Sequence, residues 1–303
     1  MDFKAIRKKT GRFFAWASLN ISSLIIRVLP ERWLYGFANL IAAIGYRIAA
    51  KQRRIAMESL EIAFTGEKSA EEKKRIARDC VTFMAKGAVE LMFLLDRPAA
   101  LRESVHIEGR EILDTALARG KGVILVSAHF GNFPLMMARI GLEGYKISGI
   151  MRAMRDERVE RFFFGKRSRF NIKTIYTQPR KACVEESIRV LRDNGALFIP
   201  IDQNFGTGGV FVDFFGHQAA TATGPVVLAR RTQAALIPCF IIRQPDDTHR
   251  IVFEPPIDIK EGASDEETII INIQRLTDII ESYIRRYPAQ WGWIHRRWKT
   301  KPS

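Results

Sequence analysis

One stretch, residues 122–137, constrains the fold of this chain more than any other. It reads Gly-Val-Ile-Leu-Val-Ser-Ala-His-Phe-Gly-Asn-Phe-Pro-Leu-Met-Met. The apolar run 123–126 predicts a buried strand, and the pattern from Pro134 onward predicts a helix after a tight turn. His129 then stands at the carboxyl end of the strand, where α/β sheets bind ligands, beside the free N–H groups of the helix start. It is a candidate general base, and a structural histidine is the competing interpretation.

The composition allows a large core and indicates an anionic partner. The chain has 303 residues, is 47% hydrophobic and carries a formal charge of +15, so it needs no disulfide or metal to fold. Cys80, Cys183 and Cys239 are far apart in apolar patterns, which predicts reduced thiols. The histidines show no ligand spacing, so no metal site is expected. The charge fits an anionic membrane, an acidic protein or lipid, or nucleic acid, but no nucleic-acid reading motif is present.

The N-terminal residues predict a helical segment that associates with a membrane. Basic residues precede two apolar segments, 13–29 and 33–50, and each segment is at or just under the ~20 apolar residues that span a bilayer. No small-residue cleavage site follows the first segment, so a removable signal peptide is not expected. Two arrangements stay open, one membrane span with a cytoplasmic basic flank or two interfacial helices. We assign residues 1–55 to this segment, in preference to a purely soluble helical cap.

The rest of the chain, residues 56–303, predicts an α/β domain with a mostly parallel central sheet flanked by helices. Ser69 and Glu72 form a capping box before an apolar helical pattern. Beyond it, short apolar runs alternate with helical patterns, which is typical of βαβ units. The runs are at 123–126, 147–151, 197–201, 235–242 and 251–253, and the helical patterns are at 133–142, 156–170, 181–194 and 224–231. Ser264 is predicted to cap a last helix.

Polar residues follow two of the other predicted strands. Arg152 and Arg155 come after the run 147–151, where guanidinium groups could grip an anionic head group. Asp202 follows the run 197–201 and precedes a glycine-rich loop, so it is a candidate site residue or a carboxylate that caps the loop. That loop lacks the Gly-Lys-Ser/Thr sequence of a nucleotide P-loop, and no Gly-x-Ser-x-Gly elbow occurs.

The residues around His129, Arg152 and Asp202, together with later segments, resemble the motifs of a known family. The chain resembles the bacterial lipid A late acyltransferases, the lauroyl/myristoyl transferase branch of the lysophospholipid acyltransferase superfamily, over most of its length. The most specific parts are the central region from Asp202 to Gly224 and the C-terminal segment. The matching segments are Ala128-His-Phe-Gly-Asn-Phe133, Arg152-Ala-Met-Arg155, Asp202-Gln-Asn204, Val210-Phe-Val-Asp-Phe-Phe-Gly216, Ala220-Thr-Ala-Thr-Gly224, Ala235-Leu-Ile-Pro-Cys-Phe240 and Tyr287-Pro-Ala-Gln-Trp-Gly-Trp-Ile-His-Arg-Arg-Trp-Lys299.

The resemblance implies a function. Members of that family transfer a fatty acyl chain from acyl-carrier protein to a hydroxyl of a glucosamine-based lipid, at the cytoplasmic face of the inner membrane and without a cofactor. It therefore implies a membrane-bound O-acyltransferase that takes acyl-carrier protein thioester as donor and an anionic glycolipid as acceptor. The membrane surface is the remaining expected partner. Transfer to a different lipid acceptor is an alternative.

One position departs from the family pattern. The family has Asp or Glu five residues after the histidine, where it is thought to polarise the imidazole, and this chain has Pro134 there. Loss of an orienting carboxylate costs on the order of 10⁴-fold in hydrolase triads. Three outcomes stay open: another acid, with Asp202 as first candidate, orients His129; the histidine acts alone; or the chain is a catalytically silent relative that binds lipid.

The resemblance and the residue pattern together predict a role for each candidate site residue. His129 is the expected general base, with Asp202 as its partner. The N–H groups near Asn132, or Arg152, are expected to hold the oxyanion. Five aromatic residues are candidates for an acyl groove, although a core position is the more common role of such side chains. The expected substrate-binding residues are Asn132, Arg155, Gln203, Asn204, Arg296 and Arg297, and the aromatic candidates are Phe133, Phe162, Phe163, Phe214 and Phe215.

Overall fold

A computed structural model describes residues 3–154 and 156–302, and these residues form eleven α-helices and nine strands. The helices are α1 Phe3–Val28, α2 Glu31–Ile48, α3 Ala50–Ala63, α4 Ala70–Leu94, α5 Pro98–Ser104, α6 Arg110–Ala118, α7 Phe133–Leu142, α8 Glu157–Ser168, α9 Arg180–Arg192, α10 Gly224–Thr232 and α11 Asp265–Arg286. The strands are β1 Val105–Glu108, β2 Val123–Ser127, β3 Ile147–Met151, β4 Ile172–Tyr176, β5 Ala196–Pro200, β6 Val210–Phe214, β7 His217–Thr221, β8 Ala235–Arg243 and β9 His249–Phe253.

Seven strands form the central sheet, in the order β1-β9-β8-β2-β5-β3-β4. The five strands from β8 to β4 run parallel, while β9 pairs antiparallel with β8 and β1 follows the direction of β9. The remaining two strands, β6 and β7, form a separate antiparallel hairpin. Strands β2, β5 and β3 are neighbours, so their carboxyl ends lie together at one edge of the sheet.

Both faces of the sheet are buried, as expected for parallel strands. Side chains alternate along β2: Ile124 and Val126 join the core that includes α9, α10 and α11, and Leu125 joins the core that includes α7. This is why the β2 sequence is apolar at every position rather than at every second one. The N-terminal helices extend these cores, since Leu34 of α2 belongs to the α7 side and Leu60 of α3 belongs to the other.

The N-terminal ends of two long helices, α4 and α11, are capped by the serine residues that the sequence predicts. The Ser69 hydroxyl accepts a hydrogen bond from the Glu72 N–H, and the Glu72 carboxylate accepts one from the Ser69 N–H, so both halves of the capping box are present before α4. Ser264 caps α11 by accepting from the Glu267 N–H. These caps satisfy amides that the helices themselves leave free.

The helices α1 and α2 each bury one side and expose apolar residues on the other. On α1 the exposed apolar residues at the C-terminal end fall at helical spacing, and α2 carries a similar exposed stripe. None of the helices in the described part of the chain has the length and apolarity needed to cross a membrane. The exposed residues are Ile21, Leu24, Ile25 and Val28 on α1, and Trp33, Leu40, Ile41, Ile44 and Ile48 on α2.

The predicted fold class is confirmed, because the described residues form a mostly parallel sheet flanked by helices. Strands β1 and β4 and the β6–β7 hairpin were not among the predicted elements, and neither was the reversal at β9. The predicted division of the chain at residue 55 falls inside α3 and stays a prediction.

The turn that follows β2 fits only because residue 131 is glycine. Gly131 has a φ of 60°, and a Cβ built on it would lie 1.9 Å from the Ile241 carbonyl oxygen on β8. Its N–H donates to the Gln290 carbonyl oxygen over 2.8 Å. The absence of a side chain therefore lets the turn lie between β8 and the C-terminal segment.

We predict that Gly131→Ala lowers the free energy of unfolding by about 2–5 kcal/mol, because it combines a left-handed conformation with a steric clash. The matched control is Gly216→Ala, which has a φ of 72° but no atom within 4 Å of the added Cβ. The control should lose only roughly 1–2 kcal/mol. Urea unfolding of the wild-type protein and both variants in one detergent buffer measures the free energies of unfolding. Equal losses in the two variants would contradict the steric clash at residue 131.

Candidate active site

Two polar residues meet where β2 and β5 end. The register of these strands pairs Ser127 with Pro200, and His129 and Asp202 each come two residues further along. The His129 Nδ1 lies 2.8 Å from Asp202 Oδ1. A carboxylate only accepts hydrogen bonds, so Nδ1 carries the proton and donates it, which leaves the Nε2 lone pair free to act as a base.

Asp202 is held on both of its oxygens. The second oxygen, Oδ2, accepts a hydrogen bond of 2.8 Å from the indole Nε1 of Trp291. The carboxylate is buried, with a relative exposure of 2% for the residue, and Trp291 is buried as well. Since a buried carboxylate is costly unless it is paired, these two donors are what keep Asp202 ionised at the end of β5.

The two groups shift each other's pKa. Burial raises the pKa of Asp202, but the His129 charge and the hydrogen bonds from His129 and Trp291 outweigh burial and hold it well below its usual range. Burial lowers the pKa of His129, but the charge and hydrogen bond of Asp202 outweigh that effect, and the pKa lies above its ordinary value of 6.5. The pair therefore favours the imidazolium that forms when His129 takes a proton.

His129 faces a groove of about 280 Å³. Helix α4 and the start of α7 contribute mostly apolar side chains, and the C-terminal segment contributes His295. Pro134, at the position of the family's acid, lines this groove and adds to its apolar surface. The lining on α4 is Phe83, Met84, Gly87, Ala88 and Leu91, and the lining around the turn and α7 is Gly131, Asn132, Phe133 and Pro134.

The C-terminal segment after α11 closes one side of the site. Phe130, next to His129, forms a backbone bridge with Trp291. The His295 ring lies with its centroid 5.7 Å from that of His129, and its Nε2 is 3.2 Å from Gln203 Nε2. Gln203 thus contacts the site through His295.

Asn132 is engaged inside the protein. Its amide nitrogen donates to the Gly87 carbonyl oxygen over 3.1 Å and to Glu90 Oε2 over 3.2 Å. Glu90 is buried and also accepts from Arg243 at 2.6 Å and from His249 at 3.1 Å. Burial raises the pKa of Glu90, but His249 and Arg243 together lower it to about 2. Asn132 therefore ties the start of α7 to an ionic cluster on α4, β8 and β9.

The predicted anion-binding residues are distributed unevenly. Arg152 is exposed just after β3, two strands from β2 at the same edge of the sheet, and Arg296 is exposed in the C-terminal segment. Arg297 is buried, with 1% exposure, and donates to the carbonyl oxygens of Gln203 and Ala220. The predicted phosphate contact of Arg297 does not fit this position, because its guanidinium already satisfies the protein backbone.

Two further predicted residues are accounted for. Asn204 donates to the Thr300 hydroxyl over 3.0 Å, so it fastens the C-terminal segment. Arg155 lies outside the described residues.

Of the aromatic candidates for an acyl groove, Phe133 lines the groove in front of His129, while Phe214 and Phe215 are buried in the core. In the described part of the chain, no group of three or more His, Cys, Asp and Glu side chains could hold a metal.

Sequence reasoning did not assign Trp291, His295 or Glu90 to the site. The only sequence signal for the first two was their place in the C-terminal segment that carries the family resemblance, which gave no indication of what they contact. Glu90 stands in an amphipathic helical pattern, where a glutamate is usually solvated. Its partners come from strands more than 150 residues away, with separations of 153 and 159 residues.

An imidazole hydrogen-bonded to a buried carboxylate, next to an apolar groove, is an arrangement typical of enzymes that use general-base catalysis. The comparisons with known proteins agree. The family model for bacterial lipid A biosynthesis acyltransferases matches residues 1–300. The chain belongs to this family and is an O-acyltransferase.

Two relatives named for lipid A biosynthesis are similar over nearly all of the chain, and a third relative is similar over a smaller part of it. A lipid A biosynthesis lauroyltransferase of Escherichia coli is 25% identical over 297 residues, covering 96% of this chain and 93% of the relative. A lipid A biosynthesis palmitoleoyltransferase of the same organism is 27% identical over 293 residues, covering 96% and 92%. A phosphatidylinositol mannoside acyltransferase of Mycolicibacterium smegmatis is 26% identical over 199 residues, covering 65% and 64%.

We predict that Asp202→Asn moves the acidic limb of the pH–rate profile to lower pH. The same change should lower turnover by on the order of 10²–10⁴-fold. The base must be neutral, so activity falls as pH drops through the pKa of His129, which Asp202 holds above 6.5. The asparagine amide oxygen can still accept from Nδ1 but carries no charge, so the lowering of the His129 pKa by burial is no longer outweighed and the limb should move to lower pH.

Asp193→Asn is the matched control, because Asp193 is exposed after α9, at the opposite edge of the sheet. It should leave both the limb and the rate unchanged. An unchanged limb in Asp202→Asn, measured as kcat/KM against pH, would contradict a carboxylate-supported base.

Proposed function

We propose that this protein transfers a fatty acyl chain from the thioester of acyl-carrier protein to a hydroxyl of a lipid A-type glycolipid, with His129 as general base. The observation that carries the proposal is the hydrogen-bonded chain from His129 through Asp202 to Trp291 at an apolar groove. The family and the names of its relatives support the reaction class.

The reaction needs a base and a place for the acyl chain. The thioester carbonyl lies next to His129, and its hydrocarbon chain runs along the apolar residues of α4 in the groove. His129 Nε2 removes the proton of the acceptor hydroxyl as its oxygen attacks the carbonyl carbon. The tetrahedral intermediate then collapses, the C–S bond breaks, and the imidazolium returns the proton to the leaving thiolate. Asp202 stabilises the imidazolium throughout.

Asp202 takes the part of the acid that the family pattern places at 134. Its contact with Nδ1 selects the tautomer in which Nε2 is unprotonated. Pro134 then has no polar task and contributes to the hydrocarbon side of the groove. The proposal therefore favours an active enzyme over a silent lipid-binding relative.

The negative charge of the transition state and of the substrates requires donors near the base. At the start of α7, Pro134 has no N–H, and the amides of Leu135 and Met136 donate to the Asn132 carbonyl oxygen, which leaves the Phe133 N–H for the oxyanion. Arg152 and Arg296 are exposed and suit acceptor phosphates, because guanidinium groups bind phosphate bidentately. The net charge of +15 suits an acidic carrier protein and an anionic lipid.

The helices α1 and α2 suit attachment to the membrane surface. Each carries the exposed apolar stripe described above, and exposed Arg32 and Arg47 stand near the two ends of α2, where they would meet lipid head groups. We place the enzyme at the cytoplasmic face of the inner membrane, where a lipid acceptor and a carrier-bound acyl donor can both reach His129.

We expect His129→Ala to lower acyl transfer by at least about 10²-fold, since it removes the base. It should also lower thermal stability, because the buried carboxylate of Asp202 loses the donor to one of its oxygens, so activity is compared at a temperature at which the variant is still folded. The assay uses lauroyl-acyl-carrier protein and a lipid A precursor, with mass spectrometry of the product. His217→Ala, an exposed histidine on β7, is the control and should keep full activity.

A parallel reaction with a phosphatidylinositol mannoside distinguishes the acceptor. Product only with that lipid would change the proposed acceptor, and binding of glycolipid without any transfer by the wild-type protein would support the silent alternative. Full activity of His129→Ala would overturn the mechanism.

For membrane attachment, Leu24→Glu combined with Ile44→Glu should reduce co-sedimentation with anionic phospholipid vesicles at least about tenfold, because both residues sit on the exposed stripes. Asn39→Glu combined with Ala43→Glu is the matched control, since it adds the same two negative charges at exposed positions on another side of α2. Equal loss of binding in this variant would show that charge alone, not the apolar stripe, determines attachment.

A further inference from the structure

A second histidine, His295, lies in the same groove, and the reaction as described gives it no task. It follows α11 in the C-terminal segment, between the buried residues Trp293 and Arg297. Its ring centroid is 5.7 Å from that of His129, and its ring lines the groove. Helix α3 helps to fix its position, since the His295 carbonyl oxygen accepts from the Ser59 hydroxyl of that helix over 3.3 Å.

The surroundings of His295 keep it neutral. Burial lowers its pKa, the charge of His129 lowers it further, and the charge of Asp202 only partly opposes these effects. A neutral neighbour matters to the reaction, because a second imidazolium beside His129 would disfavour protonation of the base. His295 can therefore act on the substrate without competing for the proton.

The hydrogen bond to Gln203 identifies the tautomer. The amide nitrogen of Gln203 can only donate, and it lies 3.2 Å from His295 Nε2, so Nε2 accepts. The ring proton is then on Nδ1. Within residues 3–154 and 156–302, no hydrogen-bond acceptor pairs with this Nδ1. An imidazole N–H in a reaction groove with no protein partner is available to a substrate oxygen.

Gly292 leaves space for the ring. A Cβ at this position would lie 3.3 Å from His295 Cδ2 and 3.8 Å from the His129 carbonyl oxygen. The backbone of the C-terminal segment can thus come close to the His295 ring and to the His129 backbone at once.

We propose that His295 is a second catalytic residue, whose Nδ1–H donates a hydrogen bond to the thioester carbonyl oxygen as it becomes negative. The inference rests on the proposed acyl transfer and adds an oxyanion donor to it. The His295 proton stays on Nδ1 throughout: the carbonyl re-forms as the C–S bond breaks, and the only proton transferred is the one that His129 takes from the hydroxyl and returns to the thiolate.

Side-chain amides test which ring nitrogen matters. The amide nitrogen of asparagine is as many bonds from Cα as Nδ1, while that of glutamine corresponds to Nε2. We expect His295→Ala to lower kcat by about 10²–10³-fold, as loss of one oxyanion donor does elsewhere. KM for lauroyl-acyl-carrier protein and for the lipid A precursor should change little. His295→Asn should recover at least about tenfold of the loss, and His295→Gln should not.

Two measurements separate this role from a structural one. Thermal unfolding of the three variants should be alike, and the acidic limb of kcat/KM should stay at the wild-type pH, because His129 remains the base. Full activity of His295→Ala, an effect confined to KM, or equal activity of the Asn and Gln variants would overturn the inference. A shifted acidic limb would show that His295 acts by changing the pKa of His129, and a lost limb would make His295 the base; either result would overturn the inference too.

His129→Ala, measured in the same assay, keeps the two proposals apart. If that variant is inactive while His295→Ala is fully active, only the oxyanion donor is wrong. If His129→Ala is active, the proposed mechanism fails before the role of His295 arises.

Discussion

The buried carboxylate of Asp202 is the constraint on which the site depends. It can stay ionised in the interior only because the His129 imidazole and the Trp291 indole each occupy one of its oxygens. One donor comes from the turn after β2 and the other from the C-terminal segment, and both are far from Asp202 in the sequence. One side chain thus joins two neighbouring strands to the tail of the chain, and the electrostatic requirement of the carboxylate sets the orientation of the base.

The segment after α11 connects the site to the rest of the molecule. It bridges to Phe130, donates to Asp202 through Trp291, and buries the Arg297 guanidinium against backbone carbonyls. On the other side of His129, Asn132 reaches the Glu90 cluster, where breaking a buried ion pair costs about 3–5 kcal/mol. The turn that carries His129 is therefore held from both sides, which suits a base whose position must not drift.

The sequence predicts local structure well and long-range contacts poorly. The apolar run of β2, the capping box of α4 and the position of His129 and Asp202 at strand ends all follow from neighbouring residues. The antiparallel pairing of β9 does not, because its short apolar run is compatible with either direction. Arg297 shows the same limit: nothing in a basic C-terminal segment distinguishes a guanidinium that satisfies buried carbonyls from one that faces solvent.

The place of Asp202 has a consequence for how this protein becomes competent. An acid at position 134 would share one turn with His129, so a short folded fragment could form the pair. Here the two groups are 73 residues apart in the chain and meet only once β2 and β5 lie side by side in register. The imidazole thus gains its partner as a product of tertiary assembly, and a partly folded intermediate with its secondary structure intact would still lack it.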